Sequence, residues 1–109
     1  MPTTYKVLGQ VSPSATTDTT LYTVPVSTQT VASSISVCNR SSTGATFRIA
    51  IRPAGEAIAN KHYIAYDTAV PGNDSIHLTM GMTLGNTDVV TVYANNTSLS
   101  FNLFGTELT

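Results

Sequence analysis

Apolar and polar residues alternate along most of this chain. Over 45–52, Phe47, Ile49 and Ile51 alternate with Thr46, Arg48, Ala50 and Arg52. A period of two puts the first set on one face of an extended strand and the second set on the other. The pattern recurs over 31–38, where Val31, Ile35 and Val37 oppose Ala32, Ser34, Ser36 and Cys38. Over 75–82, Ile76, Leu78, Met80 and Met82 oppose His77, Thr79 and Gly81. Residues 88–94 set Val90 and Val92 against Val89, Thr91 and Tyr93, and residues 98–105 set Leu99, Phe101 and Leu103 against Ser100, Asn102 and Phe104. The last segment is apolar on both faces near its end, which predicts a central or covered strand. Weaker strands are predicted at 5–11, 20–24 and 61–66.

Turn-forming residues separate these runs at 41–44, 71–74, 85–88 and Asn95-Asn96, where they are expected to close hairpins. Residues 54–60, after Pro53, are the one stretch suited to a helical turn. Seven to eight short antiparallel strands at intervals of about ten residues predict an all-β chain, a single β-sandwich or jelly-roll-like domain. Residues 11–20 are polar and lack any hydrophobic period. The predicted organisation is therefore an N-terminal strand and extended polar arm over 1–20 and a β-sandwich domain over 21–109. The arm is expected to lie against a partner or a neighbouring copy, so that its removal leaves a folded domain that binds poorly.

Composition narrows the classes. A chain of 109 residues has room for one core. Charged residues make up only 10% of it, against a usual ~25%. Their places are taken by 19 Thr and 11 Ser, whose hydroxyls cost less to dehydrate than charges do. A net charge of −1, with Lys6, Arg40, Arg48, Arg52 and Lys61 as the only basic residues, leaves no patch for phosphates and argues against nucleic acid. No apolar run approaches the ~18 residues of a membrane helix. The N-terminal residues show no apolar signal region, which predicts synthesis in a cytoplasm. Cys38 is the only cysteine, so no intrachain disulfide forms, and its place inside a strand predicts a buried, inert thiol. Four Asn residues (39, 73, 95 and 96) match the glycosylation pattern, as an Asn- and Thr-rich chain does by accident.

Residues with chemical potential are few. His62 and His77 lack the further ligand that zinc needs and the nucleophile that hydrolysis needs, and both read as polar strand residues. Asp67 and Asp74 flank Pro71-Gly72-Asn73 without the spacing of a calcium loop. No catalytic, cofactor-binding or metal residue is assigned, and an enzyme is not expected. Arg48 and Arg52 fall on one strand face, where a guanidinium reaches a carboxylate on a neighbouring chain or stays solvated. The five tyrosines, Tyr5, Tyr22, Tyr63, Tyr66 and Tyr93, suit an interface or the sugar platform of a carbohydrate-binding adhesion module, although the absence of Trp weighs against sugar. Most of them are expected to pack in the core with the hydroxyl at its rim. The candidate interface residues are thus Arg48, Arg52, Tyr63 and Tyr66.

Several segments also resemble a known group. They are Leu21-Tyr22-Thr23-Val24-Pro25, Val37-Cys38-Asn39-Arg40, Phe47-Arg48-Ile49-Ala50-Ile51-Arg52-Pro53, the stretch from Asn60 to Asp67, and Phe104-Gly105-Thr106-Glu107. These resemble parts of small virion structural proteins of tailed bacteriophages, over roughly residues 20–107. The resemblance implies a β-sandwich assembled in the bacterial cytoplasm and carried in the virion. As a capsid decoration (cement) protein it would have the major capsid protein as partner; as a tail, collar or fibre component it would contact other virion proteins. A homotrimer is the assembly expected of a cement protein of this size, and no catalytic motif is carried over.

Overall fold

The computed structural model describes residues 2–109. The alternating segments form eight strands: β1 (Thr3–Val11), β2 (Thr19–Thr23), β3 (Gln29–Asn39), β4 (Ala45–Arg52), β5 (Tyr63–Val70), β6 (Ser75–Leu84), β7 (Val89–Ala94) and β8 (Leu99–Leu108). They build two four-stranded sheets, a first in the order β1-β8-β3-β6 and a second in the order β2-β7-β4-β5. Every pairing is antiparallel. The chain changes sheet at each connection except β4 to β5, which makes the domain an eight-stranded jelly roll.

That topology corrects the hairpin expectation. The turns at 41–44, 71–74, 85–88 and 95–98 are arches that carry the chain from one sheet to the other. Gly, Pro, Asn and Asp reverse the chain, but they do not decide whether the next strand pairs with the last or packs across from it. The only neighbours in both chain and sheet, β4 and β5, are joined by residues 53–62, which hold two 3-10 turns at Pro53–Gly55 and Asn60–His62.

The core lies between the sheets. Phe47 and Ile49 of β4, Val90 and Val92 of β7, Ile35 and Val37 of β3, and Leu99, Phe101 and Leu103 of β8 are all buried. Phe47 and Phe101 meet edge to face across the two sheets, with centroids 6.1 Å apart. Each such side chain contributes roughly 1.5–3 kcal/mol by leaving water. As predicted, β8 is an inner strand, between β1 and β3.

A bulge in β3 overturns one predicted face. Ala32 pairs with Gly105 and Ser34 with Phe104, so Ser33 is extra and the alternation slips by one. Ala32 therefore points inward and is fully buried, whereas Val31 is 40% exposed on the outer face. Cys38 is half-buried on the same outer face, between Ser100 and Ser75, and is not the core thiol expected. His62 is not a strand residue either. It closes the second 3-10 turn, buried, with Nδ1 accepting the Ala59 N–H at 3.0 Å.

The chain's own β8 holds residues 3–11. Leu8 of β1 enters the core. Gly9 follows at a bulge where a Cβ would stand 2.2 Å from the Leu21 carbonyl oxygen, so no other residue fits. The two termini also meet, the Thr109 N–H donating to the Pro2 carbonyl at 3.0 Å. In the polar stretch that follows β1, Ser12 Oγ donates to the Leu99 carbonyl and the Thr16 N–H to that of Ala94.

Candidate functional site

The outer face of the second sheet carries the residues predicted from the sequence. On β4, Arg48, Ala50 and Arg52 lie on the side opposite Phe47 and Ile49, as the alternation requires, with Ala50 covered at 1% exposure. In register, Arg48 lies beside Tyr93 of β7. On its other side, β5 runs irregularly: Phe47 pairs with Thr68 and Ile49 with Ala65, so that Tyr66 and Asp67 together oppose Arg48. Asp67 adopts a positive φ of 48°, which turns its carboxylate onto the arginine. Arg48 Nε donates to Asp67 Oδ1 at 2.7 Å and Nη2 to Oδ2 at 3.4 Å. The guanidinium stacks on both Tyr66, at 4.2 Å from the centroid, and Tyr93, at 4.3 Å. The carboxylate bonded to it raises the guanidinium pKa further, so Arg48 is a permanent cation. Tyr63 meets Tyr66 edge to face at 4.8 Å, and these rings with Asn60 line an open recess of about 380 Å³.

The structure thus joins three of the four predicted residues, Arg48, Tyr63 and Tyr66. Arg52 is separate, at the start of the 53–62 loop, with its Nε buried and without a hydrogen-bond partner among the described residues. The sequence offers Tyr93 as one of five tyrosines and Asp67 as an acid beside a turn, but does not join either to Arg48. The alternation does place Tyr93 on the outward side of β7, but which strand lies beside it is set by pairing. The cluster is internally satisfied: the cation has its carboxylate and both ring faces. It is a surface feature, with Tyr66 still 56% exposed.

The outer face of the first sheet differs in kind. Register places Tyr5, Val7 and Gln10 of β1 beside Thr106, Phe104 and Asn102 of β8. These continue through Val31, Ser34 and Ser36 of β3 to Thr83, Thr79 and His77 of β6. No Asp, Glu, Lys or Arg side chain projects from this face. Lys6 and Glu107 point to the inner side and pair with each other at 3.3 Å. Among the described residues, the charged side chain that reaches the face is Arg40 at its far end, bonded to Ser100 Oγ, Ser12 Oγ and the Thr97 carbonyl. At the opposite end, Tyr5, Val7, Val31 and Phe104 form an apolar strip, four of the eight large hydrophobic side chains exposed among the described residues.

Among the described residues, no group of three or more His, Cys, Asp or Glu is placed to hold a metal ion. Asp74, the acid on the other side of Pro71-Gly72-Asn73 from Asp67, accepts the Ser75 N–H in an ordinary turn.

No family model matches the chain. No curated protein matches it either. Among solved structures it is similar to a pentameric capsid protein isolated from metagenomic phage sequences, with 15% identity and a TM-score of 0.43. The match covers 95% of this chain and 62% of that protein, so the chain spans about three fifths of its length.

Proposed function

We propose that this domain is a structural protein of a bacteriophage virion, a capsid decoration (cement) protein that binds across major capsid subunits and stabilises the shell. The observation that carries the reading is the charge-free outer face of the first sheet, with its strip of Tyr5, Val7, Val31 and Phe104. A face of hydroxyls, amides and apolar groups sheds its water at low cost when it meets another protein. The jelly roll is a fold used by capsid and lectin domains, and the segment resemblances point to virion proteins. Fold alone does not assign function, so the weight rests on the surface. Repetition around a closed shell lets modest contacts add up. The cluster of Arg48, Tyr63 and Tyr66 is a second contact area in this proposal, with homo-oligomers, trimers in the first instance, as the binding unit.

Mass spectrometry of purified virions tests the reading. A cement protein is present in numbers comparable to the capsid protein. A handful of copies indicates the alternative, a tail, collar or fibre component, and absence from the virion removes both.

A further inference from the structure

We infer that copies of this chain join edge to edge, β1 of one copy adding to β6 of the next so that their first sheets run on as one. This contact rests on the proposed assembly role and supplies the junction of its homo-oligomer. β1 and β6 are the outermost strands of the β1-β8-β3-β6 sheet, and each is paired along one side only. The free side of a strand carries a row of backbone N–H and C=O groups. Water satisfies them singly; another extended chain satisfies them in series. What fits such an edge is therefore a strand.

Proteins that keep sheet edges apart shorten them, bend them or charge them. The second sheet does so: β2 has five residues, and β5 slips twice in register and holds Asp67 at a positive φ of 48°. The edges of the first sheet are longer, nine residues in β1 and ten in β6. β6 contains no Pro, Asp, Glu, Lys or Arg. β1 has Lys6 alone, turned to the inner side and paired with Glu107. Each strand has one bulge, after Val7 and after Thr79, and runs regularly up to it, over 3–7 and 75–79.

The hydrogen-bond phases of these two stretches match. The Asn39 N–H donates to the Asp74 carbonyl and the Thr109 N–H to that of Pro2, and bonded and non-bonded pairs alternate from there along each ladder. Ser75, His77 and Thr79 therefore turn N–H and C=O away from β3, and Thr3, Tyr5 and Val7 turn theirs away from β8. β1 and β6 run in opposite directions within the sheet, so copies in the same orientation set them antiparallel. Thr3 then faces Thr79, and Tyr5 faces His77, each pair exchanging both bonds. Val7 faces Ser75, whose N–H is held by Asp74 Oδ1 and whose carbonyl accepts from Val7. All these side chains lie on the outer face, so the alternation continues across the junction. Tyr5, 82% exposed in the single chain, gains His77 as a cross-strand neighbour. Two-fold pairing of β6 with β6, or of β1 with β1, leaves the other edge open in every copy. The head-to-tail contact covers both, and is the kind that generates rings.

Two proline variants test the contact, since proline on an edge removes an outward N–H and spares the ladder behind it. Tyr5→Pro spoils β1 and leaves β6 intact; His77→Pro does the reverse. In sedimentation equilibrium the wild type is expected to be larger than a dimer. Each variant alone is expected to be a monomer with the circular dichroism of the wild type, and an equimolar mixture of the two a dimer. A wild type that is monomeric or dimeric, a folded variant that still self-associates, or a mixture that stays monomeric overturns the inference. Hydrogen exchange of the wild type reads the same junction without a substitution. The Tyr5 and His77 amides point away from the chain's own ladders and are expected to be protected in the oligomer; rapid exchange at both overturns the contact even where a variant fails to fold. Virion incorporation is scored alongside. A monomer found in virions overturns the edge contact and leaves the virion reading standing. Complementing variants whose wild type is absent from virions support the contact and remove the virion reading.

Discussion

The Tyr22 hydroxyl donates a 2.5 Å hydrogen bond to Glu107 Oε2 across 85 residues of sequence, and joins the two sheets at one end of the core. Thr30 Oγ1 lies 2.8 Å from the same hydroxyl, and Lys6 Nζ 3.3 Å from Glu107 Oε1. The Tyr22 bond, with help from Lys6 and against the opposing effect of burial, holds the Glu107 carboxyl below its ordinary range. Burial first, and then the carboxylate, push Tyr22 up to about 12.

Linkage gives the pH dependence. Because the Glu107 pKa is lower in the folded state, its stabilisation is complete above the unfolded carboxylate value of ~4.3 and is lost as pH falls through the folded value. For Tyr22 the folded value is the higher one, so its contribution is intact below ~10 and is lost as pH rises toward 12. Denaturant titrations from pH 2 to 6 are expected to show a shallower acid loss in Glu107→Gln than in wild type. Tyr22→Phe is expected to cost about 1–2 kcal/mol at neutral pH, the usual price of a buried acceptor losing its donor.

Asn39 is fully buried and ties three arches together. Its Nδ2 donates to the Thr43 and Val70 carbonyls, and its Oδ1 accepts from the Ser41 N–H and Ser98 Oγ. Asn39→Ala leaves several of these groups unpaired at about 1–3 kcal/mol each where they stay dry. A clearly lowered urea midpoint with an unchanged m-value is expected. Wild-type stability in this variant would mean that water replaces the side chain. The burial also makes the glycosylation match at Asn39 unusable in the folded protein.

Gly105 and Gly9 are fixed by close approach. A Cβ at Gly105 would lie 2.2 Å from the Val31 carbonyl oxygen, whereas one at Gly81 would have nothing within 4 Å. Gly105→Ala is expected to destabilise by about 1–3 kcal/mol or more, since backbone must move to admit the methyl. Gly81→Ala is expected to be neutral or slightly stabilising. Thermal melts of the pair separate steric exclusion from a general intolerance of change in this sheet.

β1 is a structural strand as well as a rim of the charge-free face. Deleting residues 1–11 removes Leu8 from the core and leaves β8 as an open edge. Exposed edges invite strand-to-strand aggregation. The deletion is expected to give insoluble or non-cooperatively melting protein. A truncated chain that melts like the full one would make the segment an appendage of a domain spanning 21–109.

Arg48→Lys tests the aromatic cluster. Lysine keeps the charge but lacks the planar fork that bonds Asp67 twice and stacks on Tyr66 and Tyr93. Little change in stability is expected at so solvent-accessible a pair. The ring resonances of Tyr66 and Tyr93 are expected to shift toward solvent-exposed values in NMR spectra. Unchanged resonances would show that the rings are held without the guanidinium.

The sequence by itself determined where the strands lie and that there are eight of them at most, because alternation is a local property of an extended chain. Within an unbroken stretch it also determined which side chains share a face: Phe47 with Ile49, and Leu99 with Phe101 and Leu103, are together in the core as the period requires. Tertiary structure decided everything that depends on which strand lies next to which. The extra residue at Ser33, forced by pairing with β8, exchanged Val31 for Ala32 in the interior. The turns read as hairpins became arches because two sheets must close over one core. Tyr93 reached Arg48, and Tyr22 reached Glu107, only through pairings between segments far apart in the chain. The charge-free face has the same origin. Its residues are scattered over four strands, and no run of sequence shows them as a single surface until the order β1-β8-β3-β6 sets them side by side.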